Sequence, residues 1–119
     1  MLAVFWPNRL LGILLLWSSI FATFADAKRL RVPEPRLERA LAETLGVQRE
    51  DLTEELVARN LRFLDAGNRQ IKDLTGLEVA ENLEVLVLRQ NQIEDISPLA
   101  DLPNLVRLDL SGNRINNLS

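Results

Sequence analysis

Few residues in this chain could carry out covalent or proton-transfer chemistry. Its 119 residues contain no His, no Cys and no Tyr, so the commonest general bases, metal ligands and thiol nucleophiles are missing. What remains is the acidic pair Glu94-Asp95, the segment Ser111-Gly112-Asn113, and a glycosylation-type triplet Asn117-Leu118-Ser119. An acid pair can hydrolyse glycosides, but this one reads as a solvated turn. Gly112 serves backbone geometry in a turn, and no Gly-rich phosphate loop is present. No cofactor, no metal and no enzymatic activity are expected.

The elements that position these residues follow from one period. Leu83, Leu86, Leu88, Asn91 and Ile93 recur 22 residues later as Leu105, Leu108, Leu110, Asn113 and Ile115. A fixed period holding Leu, Asn and Ile is the signature of a leucine-rich-repeat solenoid. In Leu86-Val87-Leu88 the leucines point to one side of a short strand and Val87 to the other. One such strand buries almost nothing, so it must stack on its neighbour and build a parallel sheet. Asn91 and Asn113 sit where the chain leaves the strand, as an expected structural ladder whose amides satisfy turn backbone. Ile93, Ile96, Leu99 and Leu102 line the return, where Pro98 favours a tight or short helical turn.

The N-terminal 27 residues are set apart. Arg9 ends a weakly basic opening, Leu10 to Phe24 is apolar, and Ala25-Asp26-Ala27 is an A-x-A site, the order of a secretory signal peptide. The apolar run is short for a membrane span, which needs about 20 residues; an uncleaved anchor is the alternative. Cleavage after Ala27 would place the protein outside the cytoplasm: secreted, on the cell surface or in the periplasm. Phe63 is then the only remaining aromatic, and the net charge stays at −3. Mild acidity with one aromatic excludes nucleic-acid binding of the usual kind. No membrane association is expected after leader removal, and stability must come from packing without disulfides.

Residues 28–60 read as a basic segment followed by a helical cap. Lys28-Arg29-Leu30-Arg31 is expected to be a solvated lead-in. Val32-Pro33-Glu34-Pro35 is extended, because proline keeps the preceding residue out of helical geometry. Leu37, Ala40, Leu41 and Leu45 form one face of an amphipathic helix that begins at Pro35 and stops at Gly46. A shorter helix spans Glu54 to Arg59, capped by Thr53 or by Asp51. Terminal coils need such a cap with a polar outer face.

Residues 61–119 hold about two and a half coils with no C-terminal cap. Leu61, Leu64, Ala66, Ile71, Leu74, Leu77 and Ala80 make the first coil. Arg69 takes the ladder position there, and its charge is expected to reach solvent or a cap carboxylate.

Val32-Pro33-Glu34-Pro35-Arg36-Leu37, Leu45-Gly46, Ile71-Lys72-Asp73-Leu74-Thr75-Gly76-Leu77-Glu78 and Ile93-Glu94-Asp95-Ile96-Ser97-Pro98-Leu99 resemble bacterial internalin-type leucine-rich-repeat proteins. The resemblance covers about residues 32–119 and departs from the family at Arg69. It implies an exported α/β solenoid, with a parallel sheet on its concave face that binds another macromolecule.

By alternation the concave face carries Phe63 and Asp65, Val85 and Val87, and Arg107 and Asp109. Phe63 beside the two valines makes an apolar patch flanked by charge, or else packs beneath the cap helices. The chain therefore reads as a non-catalytic protein-binding scaffold. The alternative is the N-terminal part of a longer solenoid with no activity of its own.

Overall fold

Helix boundaries in the cap follow from residues with restricted backbones. In the computed structural model, which describes residues 28–116, helix α1 runs Pro35–Leu45. The segment read as a leader and the Asn117-Leu118-Ser119 triplet lie outside the described residues. Proline at the helix start loses no hydrogen bond, and Glu34 before it is extended (φ −88°, ψ 108°), its carboxylate accepting from Arg36 N–H. Gly46 ends the helix at φ 70°, a left-handed conformation that costs glycine little. The buried face is Leu37, Ala40, Leu41 and Ala42.

Helix α2 spans Glu54–Asn60, and its cap is Thr53, whose hydroxyl accepts from Leu56 N–H. Asp51 instead closes a 3-10 turn, Arg49–Asp51. The basic segment is not the solvated lead-in that its composition suggests. Arg29 bridges Thr53 in antiparallel fashion, Leu30 N–H donates to Leu52 O, and Glu54 N–H donates to Lys28 O. Leu30 is 3% exposed. Alternation explains this: the neighbours Arg29 and Arg31 turn outward, Arg29 towards Glu38 (3.5 Å), while Leu30 turns into the core; Lys28, at the start of the segment, meets Glu54 (3.4 Å).

Three strands follow, β1 (Phe63–Asp65), β2 (Val85–Val87) and β3 (Arg107–Asp109), in one parallel sheet ordered β1-β2-β3. The register is the sequence period itself: Leu64 pairs with Leu86, and Leu86 with Leu108. Short 3-10 turns at Leu77–Val79 and Ser97–Leu99 return each coil. The core is continuous from Leu30 and the α1 face through the leucines of coils 1 and 2 to Leu99.

Candidate functional site: the concave face and its supporting ladder

The face opposite the leucine core is built in two rows. Phe63, Val85 and Arg107 lie in register across the sheet, as do Asp65, Val87 and Asp109. Neighbouring parallel strands are about 4.8 Å apart, so each row spans roughly 10 Å. Phe63 is 53% exposed and so stands on this face rather than beneath the cap. Val85 and Val87, the middle member of each row, are half-buried.

The aspartates are already engaged. Asp65 Oδ1 accepts from Gly67 N–H at 3.1 Å, and Asp109 Oδ1 accepts from Ser111 N–H (3.1 Å) and Ser111 Oγ (2.7 Å). The Ser111 hydroxyl, followed by its N–H, holds the Asp109 carboxyl below the usual aspartate range. Both aspartates therefore shape the turn after the strand.

The turn beyond each strand is held by asparagine. Asn91 Oδ1 accepts from Arg69 N–H (2.9 Å) and Ile71 N–H (3.0 Å), while Nδ2 donates to Ala66 O and Leu88 O. Asn113 repeats this one coil on, with Ile93 N–H as donor and Leu88 O and Leu110 O as acceptors. The ladder has a direction: each asparagine satisfies its own strand end and the turn of the coil before it. This accounts for Arg69. No coil precedes coil 1, so nothing there requires an amide, and the guanidinium instead meets Glu43 of α1 at 3.0 Å. At the adjacent turn position, Asn68, Gln90 and Gly112 all take left-handed backbone (φ 59°, 58° and 72°), although only coil 3 supplies glycine.

Two structural devices escaped the reading from sequence. Glu34, 9% exposed, bonds Arg36 N–H with one oxygen and Lys72 N–H with the other (3.1 Å), tying the cap to coil 1. A second asparagine column stands at the opposite corner of the coils: Asn82 donates to Arg59 O and Asn104 to Glu81 O. Its signal was present, since Asn60, Asn82 and Asn104 keep the same 22-residue period.

On the return side lies a groove of about 790 Å³, bordered by Lys72, Asp73, Glu78, Glu94, Asp95 and Arg114 among others. Its carboxylates serve turns. Asp73 accepts from Thr75, and Glu78 from Gly76 N–H. Asp95 accepts from Ser97 N–H, which with the Ser97 hydroxyl lowers its pKa. Asp95 thus caps the Ser97–Leu99 turn. Among the described residues no group of His, Cys, Asp and Glu is arranged to hold a metal, and no helix is long and apolar enough to cross a membrane.

Strands at one per 22-residue coil, a leucine core and an asparagine column define a leucine-rich-repeat solenoid, and the family model for leucine-rich repeats in two copies matches residues 81–119. Within that class, solved structures similar to this chain include bacterial internalins. The chain is 32% identical to internalin C2 from Listeria monocytogenes over 72% of its length, with a TM-score of 0.68. With the internalin InlF of the same organism the values are 28%, 77% and 0.71. The functional domain of Listeria monocytogenes InlJ, which includes a cysteine ladder, is 31% identical over 73% of the chain (TM-score 0.67). The chain spans 38%, 28% and 19% of those three proteins. Curated protein sequences give no significant match.

Proposed function

We propose that this protein is a non-catalytic, exported scaffold that binds another protein through the concave face of its sheet. The carrying observation is the row Phe63-Val85-Arg107, an exposed aromatic, a half-buried aliphatic and an exposed arginine in register. Aromatic and arginine side chains dominate interface energetics when buried by a partner, and the sheet holds these three without loop flexibility. Export rests on the leader-like residues 1–27, and N-terminal sequencing of exported material should begin at Lys28. The binding test is a panel of surface and periplasmic proteins of the producing cell and its neighbours, read by biolayer interferometry. Arg107→Glu and Phe63→Ala should each weaken binding with the circular dichroism spectrum unchanged, while Glu94→Lys on the return turn leaves it unchanged. Equal binding by wild type and Arg107→Glu would move the site off the concave face.

A second reading has one observation behind it. The chain spans 38% and 28% of two internalins that it matches. The same coils would then serve as the capped start of a longer solenoid without activity of their own, and would bind nothing in the panel.

A further inference from the structure

We infer that segment 28–34 is a strap that controls its own processing: the bond between Ala27 and Lys28 is open to a signal peptidase only until this strap docks. The inference rests on the leader reading and adds an order of events to it. The first residues after that bond are built into the cap. Lys28 O accepts from Glu54 N–H (2.9 Å) and Leu30 N–H donates to Leu52 O (3.0 Å), which sets Arg29 opposite Thr53 in an antiparallel bridge. The Arg29 guanidinium donates to Glu50 O at 2.9 Å and meets Glu38 of α1 at 3.5 Å. Leu30 belongs to the core.

Coil 1 holds the strap as well. Gly76, at φ 111°, lies so close that an added Cβ would stand 3.0 Å from Val32 Cγ2 and 3.1 Å from Arg31 O. Glycine alone leaves that room and takes that backbone readily. Glu34 closes the far end of the strap on Lys72 N–H. The segment is thus pinned by α1, by the start of α2 and by the return of coil 1.

Hydrolysis adds water across the bond: the Ala27 carbonyl carbon takes the hydroxyl, and the Lys28 nitrogen takes the proton and leaves as the amine. An enzyme acting on an extended peptide pairs with its backbone on the way. Lys28 and Arg29, which must enter the enzyme on the leaving side, are already paired within the cap. A docked strap has to open first, and the rate falls with the fraction that is open. Its partners lie well along the chain, Glu50 21 residues from Arg29 and Lys72 38 from Glu34. The bond stays accessible until those parts have packed. A chain cut before docking is released, and a chain docked before cutting keeps its leader.

The test is an order-of-addition experiment on the full chain in mild detergent, with purified signal peptidase and N-terminal sequencing of the product. Diluted from denaturant into the enzyme, the chain should be cut after Ala27. Folded first, it should be cut at least about a hundredfold more slowly. Trypsin at Lys28 and Arg29 reads the strap without the leader, and the folded chain should resist it to the same degree. Leu30→Asp, checked by circular dichroism, should restore both cleavages to the folded chain. A second comparison covers the case in which Leu30→Asp unfolds. The chain has no native Cys, and R29C/T53C joins the bridge partners, a spacing that a disulfide tolerates. Its oxidised form should be cut about tenfold more slowly than the reduced form of the same sequence. A folded chain cut as fast as the unfolded one would overturn the strap's control and leave the leader reading standing. An unfolded chain left uncut after Ala27 would remove the leader reading and the inference with it. Trypsin cutting the folded strap at the unfolded rate, or oxidised and reduced R29C/T53C cut equally fast, would also overturn it.

Discussion

Coils 1 and 3 share one pattern and reach different fates. In coil 1, Leu61, Leu64, Ala66, Ile71 and Leu77 are all fully buried, because the cap lies on one side and coil 2 on the other. In coil 3 the equivalent Leu108 is 39% exposed, and Leu105, Leu110 and Ile115 are only partly buried. Leucines and isoleucines at identical spacing (Leu61 and Leu105, Leu64 and Leu108, Ile71 and Ile115) therefore differ by position in the stack alone. Burial in a solenoid belongs to the neighbours, and a coil contributes its full stability only when both of its faces are covered.

The largest expected effect tests that difference directly. Leu86→Ala should cost about 2–5 kcal/mol, as a buried large-to-small change between two coils. Leu108→Ala, at the same position one coil on, should cost less than about 2 kcal/mol. Chemical denaturation of both variants makes the measurement, and equal losses would break the comparison. Next come the amides. Asn91→Ala should cost about 1–3 kcal/mol through stranded turn groups, and Asn113→Ala less, since its oxygen receives one turn N–H rather than two. Arg69→Ala, at the ladder position of coil 1, should cost about 0–1 kcal/mol, because it removes only a partly exposed ion pair. A loss as large as that of Asn91→Ala would show that coil 1 depends on Arg69 in a way its contacts do not reveal.

The smallest effect is a dependence on acidity in coils 2 and 3. Asp95 and Asp109 are held below the usual aspartate range by Ser97 and Ser111. A depressed folded-state pKa contributes stability above the unfolded value and loses it as pH falls through the folded one. Acidification below the ordinary aspartate range should therefore loosen these two turns. Hydrogen exchange at Ser97 and Ser111 amides, compared with the wild type in Asp95→Asn and Asp109→Asn, reads the effect.

The solenoid was legible because its signal is a period, repeated in Leu83, Leu86 and Leu88 and again in Leu105, Leu108 and Leu110. Helix α1 was legible because Pro35 and Gly46 restrict the backbone at its two ends. Leu30 and Glu34 left no such trace. Leu30 docks through backbone pairing with Leu52, and Glu34 reaches a backbone N–H at Lys72, neither of which constrains residue type at a fixed spacing. Phe63 stood between two environments because alternation places it on the concave face while the nearby cap offered cover. The concave-face rows follow from alternation, but the engagement of their aspartates does not: Asp65 and Asp109 were expected on that face beside the rest, and only their bonds to Gly67 and Ser111 show them committed to turns.

The one-way asparagine ladder also bears on how the chain matures as it is made. Synthesis runs from the N-terminus, so the cap and the strand of coil 1 emerge before the amide that closes the coil 1 turn. That amide, Asn91, arrives 22 residues after Arg69, and coil 2 waits in the same way for Asn113 to reach Ile93 N–H. Each coil is thus completed by its successor, and the leading coil of a growing chain always carries open turn groups. Such a chain zips in one direction, with every new coil locking the one behind it.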